Sequence, residues 1–289
     1  MAGPLLFEPP TALQYFASLV AEDASLSVVE AAVAVAQDLD PELDAQTVLA
    51  QIDELADRLR RRLPPDAGPV HKLRMLNRYF FDELGFAGNV NDYYDPRNSS
   101  LGEVLRTRRG IPITLALLYV ELATQLGLPA VGVSFPGHFL VKLTLPRGEV
   151  VLDPFSGHTL SREELEERLW PYRQRHGLVG DYEMPLGLFL QPAGPRDTLA
   201  RLLRNLKEIH RSAGDRERLL AVLERLVILL PEDWSERRDR GLVHAELGHR
   251  EAAARDLSDY LIHCPDAEDA PALRARLAQL SGPRRPTLH

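Results

Sequence analysis

The last third of this 289-residue chain contains an internal repeat of 34 residues. Gly214 and Gly248 are each followed one position later by Arg-Glu, and Pro231 and Pro265 lie the same distance apart. Repeats of this length are pairs of helices, because one short helical unit cannot bury its apolar face without a neighbour. The interval predicts an all-α region with helices over 201–212, 216–230, 234–247, 251–263 and 271–280.

A period of 34 residues is typical of tetratricopeptide repeats. Gly241, Ala253 and Pro265 stand at the small-residue and proline places of that motif, while His244 occupies a place that an aromatic residue usually takes. An unrelated helical bundle with a chance spacing is the alternative. Tetratricopeptide helices form a concave surface, so we expect this region to bind a protein or peptide partner.

Composition excludes several classes of protein. Hydrophobic residues make up 45% of the chain and charged residues 26%, as in globular proteins, and the length suits about two domains. The net charge of −8 argues against a nucleic-acid partner. A single cysteine, Cys264, excludes an intramolecular disulfide and is typical of a reducing compartment. Because no segment reaches ~18 apolar residues, we expect a cytoplasmic protein with no membrane partner.

Hydrophobic periodicity changes along the first two thirds of the chain. Helical spacing predicts three helices over 11–63, followed by helices over 70–84, 99–108 and 113–126. Short segments rich in Val, Leu and Phe then predict a small antiparallel sheet, with strands over 130–135, 138–145 and 149–152. We expect a first domain over 1–185, a Gly- and Pro-containing linker over 186–195 and the repeats over 196–289.

Two polar residues flank the predicted strands. His138 opens one strand and Asp153 closes the next, so their outer ends lie side by side if the strands pair as an antiparallel hairpin. A carboxylate that accepts a ring N–H fixes the tautomer and raises the basicity of the other nitrogen, which is what a general base needs. A buried structural hydrogen bond is the alternative interpretation of the same pair.

Two neighbouring runs, GIPITLALLYVELATQLGLPAVGVSFPGHFLVKL and VVLDPFSG, contain both of these residues. They resemble the core of the transglutaminase-like superfamily, whose papain-like site joins a helix-borne Cys nucleophile to a His and an Asp on successive strands. With the segment NDYYDPRNSSLGEVLRTRRGIPITL and the repeat tail, the whole chain resembles the SirB-type bacterial family. The resemblance implies an α+β fold: a papain/transglutaminase-like core with a helical N-terminal region and a small antiparallel sheet, followed by an all-α tetratricopeptide-like domain.

The chain departs from the superfamily at the nucleophile. Aligning Gly110 with the glycine of the superfamily's G-x-C motif puts Pro112 where the cysteine belongs, and Cys264 lies far away in the repeats. The Thr114 or Ser134 hydroxyl, or a water molecule activated by His138, would have to act instead. We therefore expect a degenerate site of His138 and Asp153.

The polar loop before the buried helix offers a second candidate site. Asn91, Asp92, Asp95, Arg97 and Arg109 are close in sequence and suit a pocket for a carboxylate, an amide or a peptide terminus. Local pairs that only hold the loop in place are the alternative. The acidic residues and His138 are competent metal ligands, but their spacing matches no metal motif, so we expect neither a metal nor another cofactor.

These observations favour an interaction or regulatory protein built on a transglutaminase-like domain without catalysis. The alternative is a hydrolase or transamidase of peptides or amides that uses His138 and Asp153 with Thr114, Ser134 or water as nucleophile.

Overall fold

The structure is a computed structural model and describes residues 10–180 and 184–281. The chain forms two compact units, of which one is Glu22–Leu202 and the other combines Met1–Ala21 with Leu203–His289. The division into 1–185, 186–195 and 196–289 stays a prediction. No helix in the described ranges is long and apolar enough to cross a membrane.

The unit Glu22–Leu202 begins with helices. After a 3₁₀ turn they are α2 (Val28–Ala36), α3 (Ala45–Arg60) and α4 (Pro69–Asn77), preceded in the chain by α1 (Ala12–Leu19) of the other unit. Capping side chains begin two of them, because the Ser27 and Asp44 oxygens accept backbone N–H groups of the first turn. The predicted fourth helix changes to a π-helix at Arg78–Glu83.

A buried helix forms the centre of this unit. It is α6 (Pro112–Gln125), preceded by α5 (Leu101–Thr107) and by the parallel pair β1 (Ala87–Gly88) and β2 (Arg109–Gly110). Ten of the residues from Pro112 to Ala123 are buried, as the uninterrupted apolar run predicts. Pro112 takes the first helical position, where a missing N–H leaves no hydrogen bond unmade.

A four-stranded antiparallel sheet follows, in the order β3 (Ala130–Val133), β4 (Leu140–Leu145), β5 (Gly148–Asp153) and β6 (His158–Leu160). The sheet is confirmed, but the sequence did not predict β6. The start of β4 was also wrong: His138 lies in a turn, where its N–H bonds to the Phe135 carbonyl at 3.0 Å. Gly137 has a φ of +71°, which no strand residue adopts.

Helix α7 (Arg162–Arg175) packs on one face of the sheet. Ser161 and Glu164 form a reciprocal cap at its start. The short α8 (Leu186–Phe189) lies within the predicted linker, and its Leu186 side chain is buried. These elements close a core of Val133, Phe135, Leu140, Val151, Leu165, Leu169 and Leu186.

The other unit consists of helical hairpins. Helix α9 (Pro195–Ala213) enters it at Leu203, followed by α10 (Arg216–Leu229), α11 (Trp234–Glu246), α12 (Arg250–His263) and α13 (Ala270–Ser281). Gly214 and Gly248 join paired helices with φ of +69° and +80°, a conformation that favours glycine. An added Cβ on Gly241 would lie 3.0 Å from the Asp256 Cβ, so a small residue permits the close approach of α11 to α12.

Candidate functional site

The fold brings His138 and Asp153 together. The Nε2 atom of His138 lies 2.7 Å from Oδ1 of Asp153. Asp153 is the last residue of β5, and the turn before β4 carries His138 to the same end of the sheet. Asp153 is 3% exposed, while His138 is only partly buried. The pair thus has a buried carboxylate end and an imidazole end that reaches the surface.

Three donors surround the Asp153 carboxylate. Besides His138, the Phe155 N–H donates to Oδ1 at 3.0 Å and Arg168 Nη1 donates to Oδ2 at 3.0 Å. Burial alone would raise the pKa of Asp153, but the hydrogen bonds from His138 and Arg168 outweigh it and hold the pKa well below its usual value. The carboxylate is therefore ionised and fixes the orientation of the imidazole ring.

Aromatic rings continue from His138 to the polar loop. The Phe155 ring is 6.3 Å from the His138 ring in an edge contact and 6.0 Å from the Tyr93 ring. Phe155 is held in place because its carbonyl accepts the Gly88 N–H at 2.9 Å and its ring lies where a Cβ of Gly88 would stand. Tyr93 and Tyr94 are 40% and 76% exposed.

Arg201 of helix α9 completes this group. Its Nη1 atom donates to the Ser134 hydroxyl at 2.7 Å and to the Phe135 carbonyl at 3.1 Å. The same carbonyl accepts the His138 N–H, so Arg201 lies beside the turn that carries His138. Burial lowers the pKa of Arg201, and the nearby Tyr93 phenol acts in the opposite direction. We refer to the residues that line this surface as the His138 cluster, which consists of Tyr93, His138, Asp153, Phe155 and Arg201.

The candidate nucleophile positions make structural contacts. Pro112 is buried in the first turn of α6. The Thr114 hydroxyl is fully buried, donates to the Asn98 carbonyl at 2.8 Å and accepts the Ile111 N–H at 3.2 Å. The Ser134 hydroxyl accepts from Arg201. Neither hydroxyl makes a hydrogen bond to His138 in the described residues.

The contacts of the predicted loop residues are mostly local. Asp95 caps the short 3₁₀ helix Pro96–Ser99 and pairs with Arg97 at 2.6 Å. Arg109 donates to the carbonyls of Gly85 and Arg108. Asn91 and Asp92 are exposed. A pocket formed by these five residues stays a prediction, and the observed contacts are those of the local alternative.

Asn98 organises the loop from within. Its amide donates to the carbonyls of Asp92 and Tyr93 at 2.6 and 3.2 Å, and its own carbonyl receives the Thr114 hydroxyl. A chain of hydrogen bonds therefore runs from the first turn of α6 to the backbone that carries Tyr93. This chain fixes the loop side of the His138 cluster.

The sequence did not predict Tyr93, Phe155 and Arg201 as members of the His138 cluster, nor Arg168 as a partner of Asp153. Phe155 lies in the run VVLDPFSG, whose resemblance was a usable signal. Arg168 and Arg201 reach the site from helices 15 and 67 positions away from their partners, and no local pattern marks such contacts. Within the described residues, no group of three or more His, Cys, Asp or Glu side chains is placed to hold a metal ion.

A second surface lies on the repeats. A groove of about 450 Å³ runs between α9, α10 and α11 and is lined by residues that include His210, Arg216, Leu219, Leu242 and Glu246. Ion pairs join its walls, since Lys207 of α9 pairs with Glu236 and Asp239 of α11 at 2.5 and 2.7 Å. The groove therefore combines apolar side chains with charged side chains that already form ion pairs.

Comparison with known proteins agrees with this architecture. A profile of the transglutaminase-like superfamily matches residues 46–204, which is more than half of the chain, and a tetratricopeptide-repeat profile matches residues 206–278. The chain belongs to the transglutaminase-like superfamily. The fold class and the resemblance inferred from the sequence are thus confirmed.

The chain is similar to several known proteins over most of its length. A UPF0162 protein of Xylella fastidiosa is 39% identical over 264 residues, which are 91% of this chain and 93% of that protein. A UPF0162 protein of Pseudomonas aeruginosa is 30% identical over 91% of this chain and 94% of its own length. Protein SirB1 of Salmonella typhimurium is 29% identical over 80% of this chain and 84% of its own length.

Proposed function

We propose that this chain is an interaction or regulatory protein whose transglutaminase-like domain performs no catalysis. The proposal depends on Pro112, which takes the place of the cysteine when Gly110 is aligned with the glycine of the superfamily's G-x-C motif. The residue at the nucleophile position has no nucleophilic atom, and its ring is buried in the first turn of α6. The one thiol, Cys264, follows α12 in the other unit and is suited to a reducing cytoplasm.

The two alternative hydroxyls support the same conclusion. An attacking hydroxyl must donate its proton to a base within about 3 Å. The Thr114 hydroxyl is fully buried and donates instead to the Asn98 backbone carbonyl at 2.8 Å, with the Ile111 carbonyl 3.1 Å away as the alternative acceptor. Ser134 accepts a hydrogen bond from a guanidinium, which occupies a lone pair of its oxygen.

The repeats supply the interaction part of the proposal. Tetratricopeptide helices bind partners along surfaces built from successive hairpins. The groove between α9 and α11 offers the apolar side chains Leu219 and Leu242 together with the charged Glu246 and Arg216. A protein or peptide partner fits this mixture of apolar and charged side chains.

The second candidate function is a hydrolase in which His138 activates water, or a transamidase in which an amine takes the place of that water. The ion pair of Asp153 with Arg168 and the hydrogen bond to His138 favour it, because they orient the imidazole as in a general base. Nδ1 of His138 makes no hydrogen bond within the described residues. A water molecule bound there would be the nucleophile.

Ammonia release from a peptide amide separates the two candidates. The full chain is incubated with acetyl-Ala-Gln-Ala-amide and hydroxylamine, and ammonia and hydroxamate are measured. We expect the wild-type chain and the His138→Ala variant to match the buffer control. Release that is lost in His138→Ala but kept in His71→Ala would contradict the proposal, because His71 is an exposed histidine of α4 outside the cluster.

A further inference from the structure

Arg201 is a partly buried arginine that makes no ion pair within the described residues. Its two hydrogen bonds both start from Nη1 and end on the neutral oxygens of Ser134 and Phe135. By contrast, Arg173 in the same unit is almost fully buried and pairs with Glu166 at 2.6 Å. The Arg201 Cζ atom lies 5.8 Å from the centre of the Phe139 ring, but no carboxylate within the described residues pairs with this guanidinium.

The unused edge of Arg201 has a definite chemistry. Nε and Nη2 have no partner within the described residues, and together they form a side of the guanidinium that holds two parallel N–H groups. A carboxylate accepts both groups at once, which makes such pairs stronger and more directional than a single charged hydrogen bond. Burial lowers the pKa of Arg201, because the charged guanidinium loses contact with water. A bound anion would stabilise that charge again.

Two neighbours of Arg201 also have unused polar atoms. The Nδ1 atom of His138 and the hydroxyl of Tyr93 make no hydrogen bond within the described residues. Tyr93 and Tyr94 present exposed rings, which are side chains that peptide-binding surfaces use as anchors. The His138 cluster thus combines one cationic edge, two hydrogen-bonding groups and an aromatic surface.

We propose that the His138 cluster binds the carboxylate of a peptide, held in a bidentate pair on the Nε–Nη2 edge of Arg201. A monoanion fits better than a phosphate, because the other nearby guanidinium, Arg168, already pairs with Asp153. The Tyr93 hydroxyl and His138 Nδ1 are left for the amide groups of the same peptide. This inference rests on the proposed function, since the peptide is bound and not cleaved.

Nuclear magnetic resonance of the full chain tests the inference directly. The probes are acetyl-Ala-Ala-Ala with a free carboxylate, the same peptide as an amide, acetyl-Ala-Glu-Ala-amide and inorganic phosphate. We expect saturable shifts of the Arg201 Nε–H and His138 ring signals with a carboxylate probe and none with the first amide. The glutamate probe distinguishes a side-chain carboxylate from a chain terminus, and either result supports the inference.

Variants make the assignment specific. Arg201→Gln is expected to weaken binding of the carboxylate probe about tenfold or more, while Arg147→Gln in the exposed β4–β5 turn leaves it unchanged. Tyr93→Phe removes one hydroxyl only and is expected to weaken binding severalfold, which keeps the test valid if Arg201→Gln does not fold. Equal shifts with acid and amide, shifts with phosphate alone, or no shift with any probe would overturn the inference. Cleavage of a bound peptide would instead refute the proposed function.

Discussion

Nε2 of His138 lies 2.7 Å from Oδ1 of Asp153, and the other oxygen of the same carboxylate lies 3.0 Å from Nη1 of Arg168. A buried anion thus connects a partly exposed imidazole to a guanidinium. The carboxylate orients the imidazole, while Pro112, which the sequence alignment predicts at the nucleophile position, is buried in the first turn of α6.

The Asp153 carboxylate stabilises the fold of its unit. Asp153→Asn keeps the shape of the side chain but removes the charge that faces His138 and Arg168. We expect the free energy of unfolding to fall by about 2–3 kcal/mol, because hydrogen bonds to a buried charge are lost. Urea denaturation measures the change. Asp92→Asn, at an exposed position, is the matched control, and an equal effect of the two substitutions would contradict this role.

The same carboxylate makes stability depend on pH in acid. Burial opposes ionisation of Asp153, but donors from His138 and Arg168 depress its pKa in the folded state. The unfolded chain therefore binds a proton first, near pH 3.9, so the stabilisation is complete above that pH and is lost as the pH falls toward the folded pKa. The difference in unfolding free energy between wild type and Asp153→Asn is expected to shrink below about pH 4. A difference that stays constant into strong acid would show that the charge is not its source.

The Thr114 hydroxyl has a structural role, because it connects α6 to the backbone of Asn98. Thr114→Val keeps the shape of the side chain and removes the hydroxyl that bonds to the Asn98 carbonyl. Since the site is fully buried, we expect a loss of about 1–2 kcal/mol in unfolding free energy. Thr114→Ser retains the hydroxyl and is expected to lose less. Unchanged stability of Thr114→Val would contradict a structural role of this hydroxyl.

The repeat unit depends on a close helix crossing at Gly241. A Cβ there would stand 3.0 Å from atoms of Asp256 and Leu257. Gly241→Val is expected to lower the unfolding free energy by about 2 kcal/mol, since overpacking forces the helices apart. Gly187→Val adds the same atoms where nothing lies within 4 Å and serves as the control. Equal melting temperatures of the two variants would contradict the crossing.

Elements with a long periodic signal were predictable from the sequence. The apolar stripe Val48, Ile52, Leu55 and Leu59 is buried on α3, and the run over 113–126 is the central helix. The 34-residue interval placed the ends of the repeat helices to within one residue, except that α9 begins at Pro195 and not at the predicted position 201. In each case many residues share one period, so a few exceptions do not hide it.

Short elements and long-range contacts were not predictable. Strand β6 has three residues, of which two are exposed, and this is too short for an alternating pattern. The approach of His138 to Asp153 was predictable, because an antiparallel register fixes which strand ends meet. Arg201 reaches Ser134 across 67 positions, and only tertiary packing determines that contact.

Oxygen exchange from labelled water is the most direct test of whether the domain is catalytic, because it detects hydrolysis by any nucleophile, including water activated by His138. The full chain is incubated in ¹⁸O-water with a mixture of peptides that carry free carboxylates and amides, and the mass of every peptide is measured. If the domain performs no catalysis, as proposed, the ¹⁸O content of every peptide equals that of a sample without protein. Incorporation by the wild-type chain that disappears in His138→Ala and persists in His71→Ala would establish catalysis at this pair and contradict the proposed function.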